Sequence, residues 1–256
     1  MLKTNIIALK TLVSKEVRRF MRIWVQTLLP SAISTLLYFL IFGSLIGARI
    51  GAMDGIQYID YIVPGLIMMA VINNAYSNVV GSFYGAKFQH SIEELLVSPA
   101  SNFIILLGYV VGGTLRGLFV GIIVLLISML FTSYQIHNLF LMITVVLLTS
   151  ILFSSAGLVN AIFARNFDDV SFVPTFVLSP LTYLGGVFYS INLLPEFWKT
   201  ISLANPILYM VNAFRYSFLG VSDINIVPAV SLIIIMTLLM FFSAWYLLGR
   251  SVGLRK

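Results

Sequence analysis

Cysteine is absent from this chain, so disulfides and thiolate metal sites are excluded and the redox compartment is left open. Charge is scarce: 9% of residues are Asp, Glu, Lys or Arg, against about a quarter in a soluble globular domain. The two histidines, His90 and His137, are isolated in the sequence, so no metal or nucleophile–base set gathers around them. What fills the chain instead is apolar. Hydrophobic residues make up 60% of it and the mean hydropathy is +1.03. So much apolar surface cannot be hidden from water, and a bilayer is the solvent that suits it. Bases outnumber acids by 15 to 9, for a net charge of +6. Such a surplus suits nucleic acid in general, but its placement says otherwise, and no nucleic-acid role is expected.

The few charges divide the sequence into long windows without any. Residues 23–48, 61–86, 170–195 and 224–249 lack Asp, Glu, Lys and Arg altogether, and a spanning helix needs roughly 20 mostly apolar residues. A further tract, 95–164, holds only Arg116 and His137 and is split by the polar break Thr132–Asn138. The pattern predicts an all-α membrane protein, a single domain over 1–256, with six transmembrane helices at 24–46, 62–84, 103–131, 139–163, 170–190 and 226–249.

Orientation follows from the bases. With the N-terminus in the cytoplasm, Lys3, Lys10, Lys15, Arg18, Arg19, Arg22, Lys87, Arg165, Arg250, Arg255 and Lys256 fall inside, against Arg49, Lys199 and Arg215 outside. Short basic loops resist translocation, so the positive charge is a topology signal, with both termini cytoplasmic. The segment 191–225 contains an uncharged run, Thr200 to Phe214, too short for a span, and a seventh crossing would reverse the charge bias. It reads as two short outer helices. One begins at Pro195 and the next at Asn205–Pro206, with Asn as N-cap and Pro in the first helical position. Residues 1–22 are not patterned as a signal peptide. Ile6, Leu9, Val13, Val17 and Phe20 recur at helical spacing, with Lys3, Lys10, Ser14, Arg18 and Arg22 largely off that face. That is the pattern of a helix lying on anionic lipid, with a solvated basic tail as the plainer alternative.

One cytoplasmic connection is organised beyond need. In residues 87–101, Ser91 precedes Glu94 by three, as in a capping box, and Pro99 stops the helix. Ile92, Leu95 and Leu96 share one face while Glu93 and Val97 lie on another. Such a helix either rests its apolar face on lipid and neighbouring spans or docks a partner. The chain has no Gly-x-x-x-x-Gly-Lys-Ser/Thr phosphate loop; the nearest run, GSFYGAK at 81–87, has the wrong spacing. If ATP drives this protein, the hydrolysing domain is a separate one.

The segments FQHSIEELLVSP (88–99), FDDVSFVPTF (167–176), PLTYLGGVFYS (180–190), LLPEFW (193–198) and NPILYMVNAFR (205–215) together resemble the permease subunits of type-2 ABC exporters, over essentially the whole chain. The resemblance implies that Ser91, Ile92, Glu93, Glu94, Leu95 and Leu96 form a coupling helix seated on an ATPase subunit. It makes residues 1–22 an interface helix and 191–225 a re-entrant outer pair. It also implies a homodimer with two ATPase subunits that carry ATP and Mg, export across a bacterial inner membrane, and no catalysis or bound cofactor on this chain.

Other residues invite two readings each. Asn74 and Asn78 lie one turn apart on the second span, with Asn73, Ser77 and Ser82 beside them. Unpaired amides are costly in hydrocarbon, so the stripe either glues helices together or lines a path. Ser154, Ser155 and Asn160 raise the same choice more weakly. Arg116 is the one full charge well inside a span, without an identifiable acid partner, and is functional or structural. Gly113, Gly117 and Gly121, and Gly43, Gly47, Gly51 and Gly55, are spaced for close packing within the chain or between copies. Pro174 and Pro180 bend the fifth span, with Asp168 or Asp169 capping its start.

Two other classes fit the residues less well. An ATP-independent secondary transporter or channel needs titratable groups at mid-membrane or an inverted repeat. A lipid-modifying membrane enzyme needs a convergent set of reactive groups. Neither pattern is visible, and nothing in the sequence identifies the transported substrate.

Overall fold

The computed structural model describes residues 2–53, 55–133 and 136–250. Tyr134 and Gln135 of the polar break, and Arg255 and Lys256 of the inside charge count, lie outside the described residues. Twelve α-helices follow one another along these residues: α1 (Leu2–Arg22), α2 (Trp24–Tyr38), α3 (Gly47–Ile50), α4 (Tyr58–Phe88), α5 (Ser91–Val97), α6 (Asn102–Ser128), α7 (Leu139–Phe163), α8 (Phe167–Phe172), α9 (Ser179–Tyr183), α10 (Glu196–Leu203), α11 (Pro206–Leu219) and α12 (Ile226–Gly249). A two-stranded hairpin, β1 (Ala52–Met53) with β2 (Ile56–Gln57), interrupts them ahead of α4.

Five helices among the described residues are long and apolar enough to cross a bilayer: Trp24–Gly43, Tyr58–Phe88, Asn102–Ser128, Leu139–Phe163 and Ile226–Gly249. Each coincides with an expected span to within a few residues. The remaining expected span, 170–190, is shorter and broken. Its helical run passes from α8 through π-helical turns at Val173–Leu178 into α9 and stops at Tyr183. Pro174 supplies no backbone donor to the turn before it, where the Asn160 amide reaches toward the Val170 carbonyl at 3.5 Å. The chain then turns at Gly186, whose φ is 69°.

Helix α4 is the centre of the bundle. It packs against α6, α7 and α11, while α12 covers α7 and α11. The approach is close because glycines remove the intervening side chains. A Cβ built on Gly117 of α6 would lie 3.0 Å from the Cβ of Ala75, and one on Gly121 would lie 2.8 Å from Val71. The α6 glycines therefore pack within the chain. The earlier glycine series is not one seam. Gly43 meets the Ile59 side chain and Gly47 faces Tyr58, whereas Gly51 and Gly55 have φ of 75° and 80° and shape the hairpin.

The short helix pair α10–α11 begins at Pro195 and at Asn205, the two positions its sequence implied. Asn205 is the N-cap of α11 and its side chain accepts from the Ile207 amide at 3.0 Å, with Pro206 at the first helical position. Helix α11 is buried, and Arg215 within it is fully shielded. Arg215 donates to the carbonyl of Gly186, stacks over the Tyr61 ring, and has Nη1 3.9 Å from Oδ2 of Asp223. The Asp223 carboxylate also accepts from the Ser190 hydroxyl at 2.6 Å and the Ile191 amide at 3.2 Å. One buried ion pair thus ties the loop after α9, α11 and α4 together at one end of the bundle.

Helix α1 is seated on the bundle by one side, with Ile7 and Met21 exposed on the other. Its buried ridge is Leu12, Glu16 and Phe20, and it packs along α6. Cβ atoms on Gly108 and Gly112 would meet Leu12 and Glu16, so two small residues one turn apart on α6 form a groove for α1. Ile6, placed by periodicity on the apolar face, is 59% exposed.

Candidate functional site

Two regions carry the candidate residues. The first is the short helix α5 (Ser91–Val97). Helix α5 has Ile92 buried to 2%, Leu95 and Leu96 half-buried, and Glu93 and Glu94 exposed, which is the division its sequence implied. Its start is built differently from the expected capping box. His90 is the N-cap, in the left-handed region at φ 58°. Ser91 is the first helical residue, and its hydroxyl donates back to the Ala86 carbonyl at 3.2 Å. Glu93, not Glu94, reaches the cap residue, pairing with Nδ1 of His90 at 3.1 Å. The helix ends as predicted before Pro99, with the Ser98 hydroxyl on the Leu95 carbonyl. Ser101 then caps α6 by accepting from the Ile104 amide.

The ground beneath α5 is fixed. Lys87, at the last turn of α4, donates its ammonium to the carbonyls of Ile162 and Ala164 at 2.7 and 2.8 Å. These are end-of-helix acceptors of α7, where a cation is doubly favoured. Phe167 packs its ring on Tyr84 and Phe88 at 5.0 and 5.1 Å between centroids. Helix α8 is capped by Asn166, which accepts from the Asp169 amide, rather than by Asp168 or Asp169 as the sequence suggested. Asp169 instead takes the Arg165 amide at 2.8 Å. We expect Lys87→Met to destabilise the protein by about 1–2 kcal/mol, the worth of charge-assisted bonds to helix carbonyls, and Lys87→Arg to recover most of it. Melting temperatures in detergent check this.

The second region is a polar seam through the bundle. Asn74, Asn78 and Ser82 form the buried edge of α4, while Ser77 is exposed. Arg116 of α6 donates through Nη2 to Oδ1 of Asn74 at 3.2 Å, and Asn74 donates on to the Ser31 hydroxyl of α2 at 3.1 Å. The partner of Arg116 is therefore an amide. One turn along α4, Arg19 of α1 donates to the carbonyl and side-chain oxygens of Asn78 at 3.0 and 2.8 Å. It also bonds Glu16 at 3.1 Å, whose other oxygen accepts from the Ser82 hydroxyl at 2.6 Å. Arg116 is thus bonded to Asn74, and one turn away Asn78 is bonded to Arg19, with Glu16 and Ser82 completing that second group.

Sequence reading missed Glu16 and Arg19. Glu16 is 1% exposed. The available signal was the spacing of Gly108 and Gly112, which matches Leu12 and Glu16 one turn apart. Beside the seam, a cleft of about 230 Å³ opens between α2 and α4, lined by Ser31, Ser34, Thr35, Asn73 and Asn74 against Pro30, Leu66, Met69 and Ala70. Ser154, Ser155 and Asn160 of α7 lie outside it: Ser155 bonds the Ile151 carbonyl, and Asn160 reaches toward Val170 at 3.5 Å. No cluster of His, Asp or Glu able to hold a metal occurs among the described residues.

A bundle of apolar helices with a short two-faced helix displayed beyond its end suits a transport subunit. The chain matches the family described as ABC-2 type transporter over residues 7–219 and belongs to it: it is a permease subunit of an ABC transporter. It is 55% identical over 250 residues, covering 98% of both chains, to the inner membrane transport permease YadH of Escherichia coli strain K12, and equally to that of Shigella flexneri. It is 23% identical over 242 residues to nodulation protein J of Rhizobium leguminosarum bv. viciae, covering 91% of this chain and 92% of that one.

Proposed function

We propose that this permease is the membrane half of an ATP-driven exporter of the bacterial inner membrane. It crosses the bilayer six times with both termini cytoplasmic, the broken run α8–α9 serving as the fifth crossing. Two copies pair, and each engages a separate ATPase subunit on which ATP and Mg bind. Helix α5 is the coupling helix and α1 the interface helix, packed along α6. Asn74, Asn78 and Arg116 line the translocation path, next to the α2–α4 cleft.

The observation that carries this reading is the two-sidedness of α5. Its apolar face is anchored through Ile92 on the bundle, and its acidic edge, Glu93 and Glu94, points outward above a Lys87 clamp. Val97, at the outer end, is 85% exposed. A helix that only sealed the bundle would have no use for an apolar residue and two acids displayed together. The test is a pull-down in mild detergent, with the tagged chain expressed beside its native genomic neighbours. An ATPase is expected to come down with the native chain and to be lost from Glu93→Lys/Glu94→Lys, while that variant still inserts and elutes as native. An ATPase retained undiminished by the variant would remove α5 from the coupling role.

A further inference from the structure

The polar seam is unbalanced. Arg19 and Arg116 stand against one carboxylate, that of Glu16, and the two guanidiniums lie within repelling range of each other. Both Nε atoms, and the side-chain amide nitrogen of Asn78, are buried without an acceptor among the described residues. Each oxygen of Glu16 already accepts one bond, from Ser82 and from Arg19. A surplus guanidinium in an apolar bundle is expensive and is stabilised by a bonded anion. The seam is also reachable. Arg19 keeps 27% of its side chain exposed, and Asn74, the acceptor of Arg116, lines the cleft between α2 and α4. That cleft has a hydroxyl and amide wall and an apolar wall, and its 230 Å³ is room for about seven waters or a small head group.

We infer that Arg116 and Arg19 form an anion-binding site for the phosphate or carboxylate head group of an amphiphile whose chain lies along the α2–α4 cleft. As the identity of a cargo, this rests on the transport reading above; as a binding site, it does not. The two guanidiniums supply the charge, Asn78 a further donor, and Ser31 and Asn74 set the position of Arg116.

The experiment uses the full chain purified in a neutral maltoside detergent, without any ATPase. Melting temperature is followed while phosphatidylglycerol, phosphatidylcholine or inorganic phosphate is titrated in. Phosphatidylglycerol is expected to raise it saturably, phosphatidylcholine not, and added salt to weaken the effect. Arg116→Gln is expected to weaken binding about tenfold or more, the loss of one charge-assisted contact, with Arg116→Lys in between. Glu16→Gln, which leaves an acceptor for Ser82 and deletes the opposing charge, is expected to tighten it. A variant that merely damaged folding could not do that. Stabilisation by inorganic phosphate alone would assign the site to the anion rather than the amphiphile. No saturable shift with any anion, or a shift unchanged in Arg116→Gln, overturns the site. ATPase capture is measured separately, so loss of the anion site with capture intact leaves the transport reading standing.

Discussion

Replacing Asp223 with alanine is expected to destabilise the protein by about 3 kcal/mol, the lower end of what breaking a buried ion pair costs. The Asp223 side chain is 3% exposed and that of Arg215 is fully buried. At 3.9 Å their Coulomb attraction is only part of the account. The larger part is what alanine leaves behind: a buried guanidinium without its facing carboxylate, and a Ser190 hydroxyl and Ile191 amide without their acceptor. Asp223→Asn keeps an oxygen for the Ile191 amide and can turn its NH2 to the Ser190 hydroxyl, which accepts as well as donates, and should cost about half as much. The double variant Arg215→Met/Asp223→Ala removes the charge along with its partner and should recover much of the loss, giving a clear coupling term in a double-mutant cycle. Melting in detergent reads all four proteins. Additivity of the two single effects would show that the pair does not act as a unit.

The second large effect is expected at the crossings of α4. A Cβ on Gly157 of α7 would lie 2.6 Å from the backbone oxygen of Tyr76, and one on Gly113 of α6 would lie 3.0 Å from that of Ala75. Neighbouring carbonyls of one helix are thus approached by two other helices, and a backbone atom cannot swing aside as a side chain can. Gly157→Leu and Gly113→Leu each force helices apart and should cost roughly 3 kcal/mol or more, the upper range of overpacking. Gly81→Leu is the control, since a Cβ there meets nothing within 4 Å. The expected readout is loss of the monodisperse peak in size-exclusion chromatography for the first two and its retention for the third.

Hydropathy and charge located the long helices within a few residues because those signals are local: a bilayer-length run reads as such wherever its neighbours are. The same is true of the Asn205–Pro206 cap, where donor, acceptor and fixed φ lie within three residues. What stayed hidden depends on distant partners. Glu16 reads as a solvated residue until Ser82, and Gly112 on α6, are placed beside it. The start of α5 turned on a left-handed His90, which no spacing rule selects over a serine three residues before a glutamate. At α8 the same competition went to Asn166 over Asp168 and Asp169, because a cap is chosen by backbone direction as well as side-chain chemistry. The break after α9 needed the buried Arg215 to hold the Gly186 carbonyl, a contact across 29 positions.

Helix α4 runs for 31 residues, about 46 Å at 1.5 Å per residue, against a hydrocarbon layer of about 30 Å. The helix is longer than such a layer by about half the layer's thickness, and Lys87 fastens one end of it to the end of α7. The arrangement has the proportions of an oar in its rowlock. A tilt of about 5° about the fastened end sweeps the far end of such a rod through about 4 Å, comparable to the separation of two packed side chains. Motion too small to disturb the grip at Lys87 is therefore large at the opposite end, where Tyr61 and Asp223 meet.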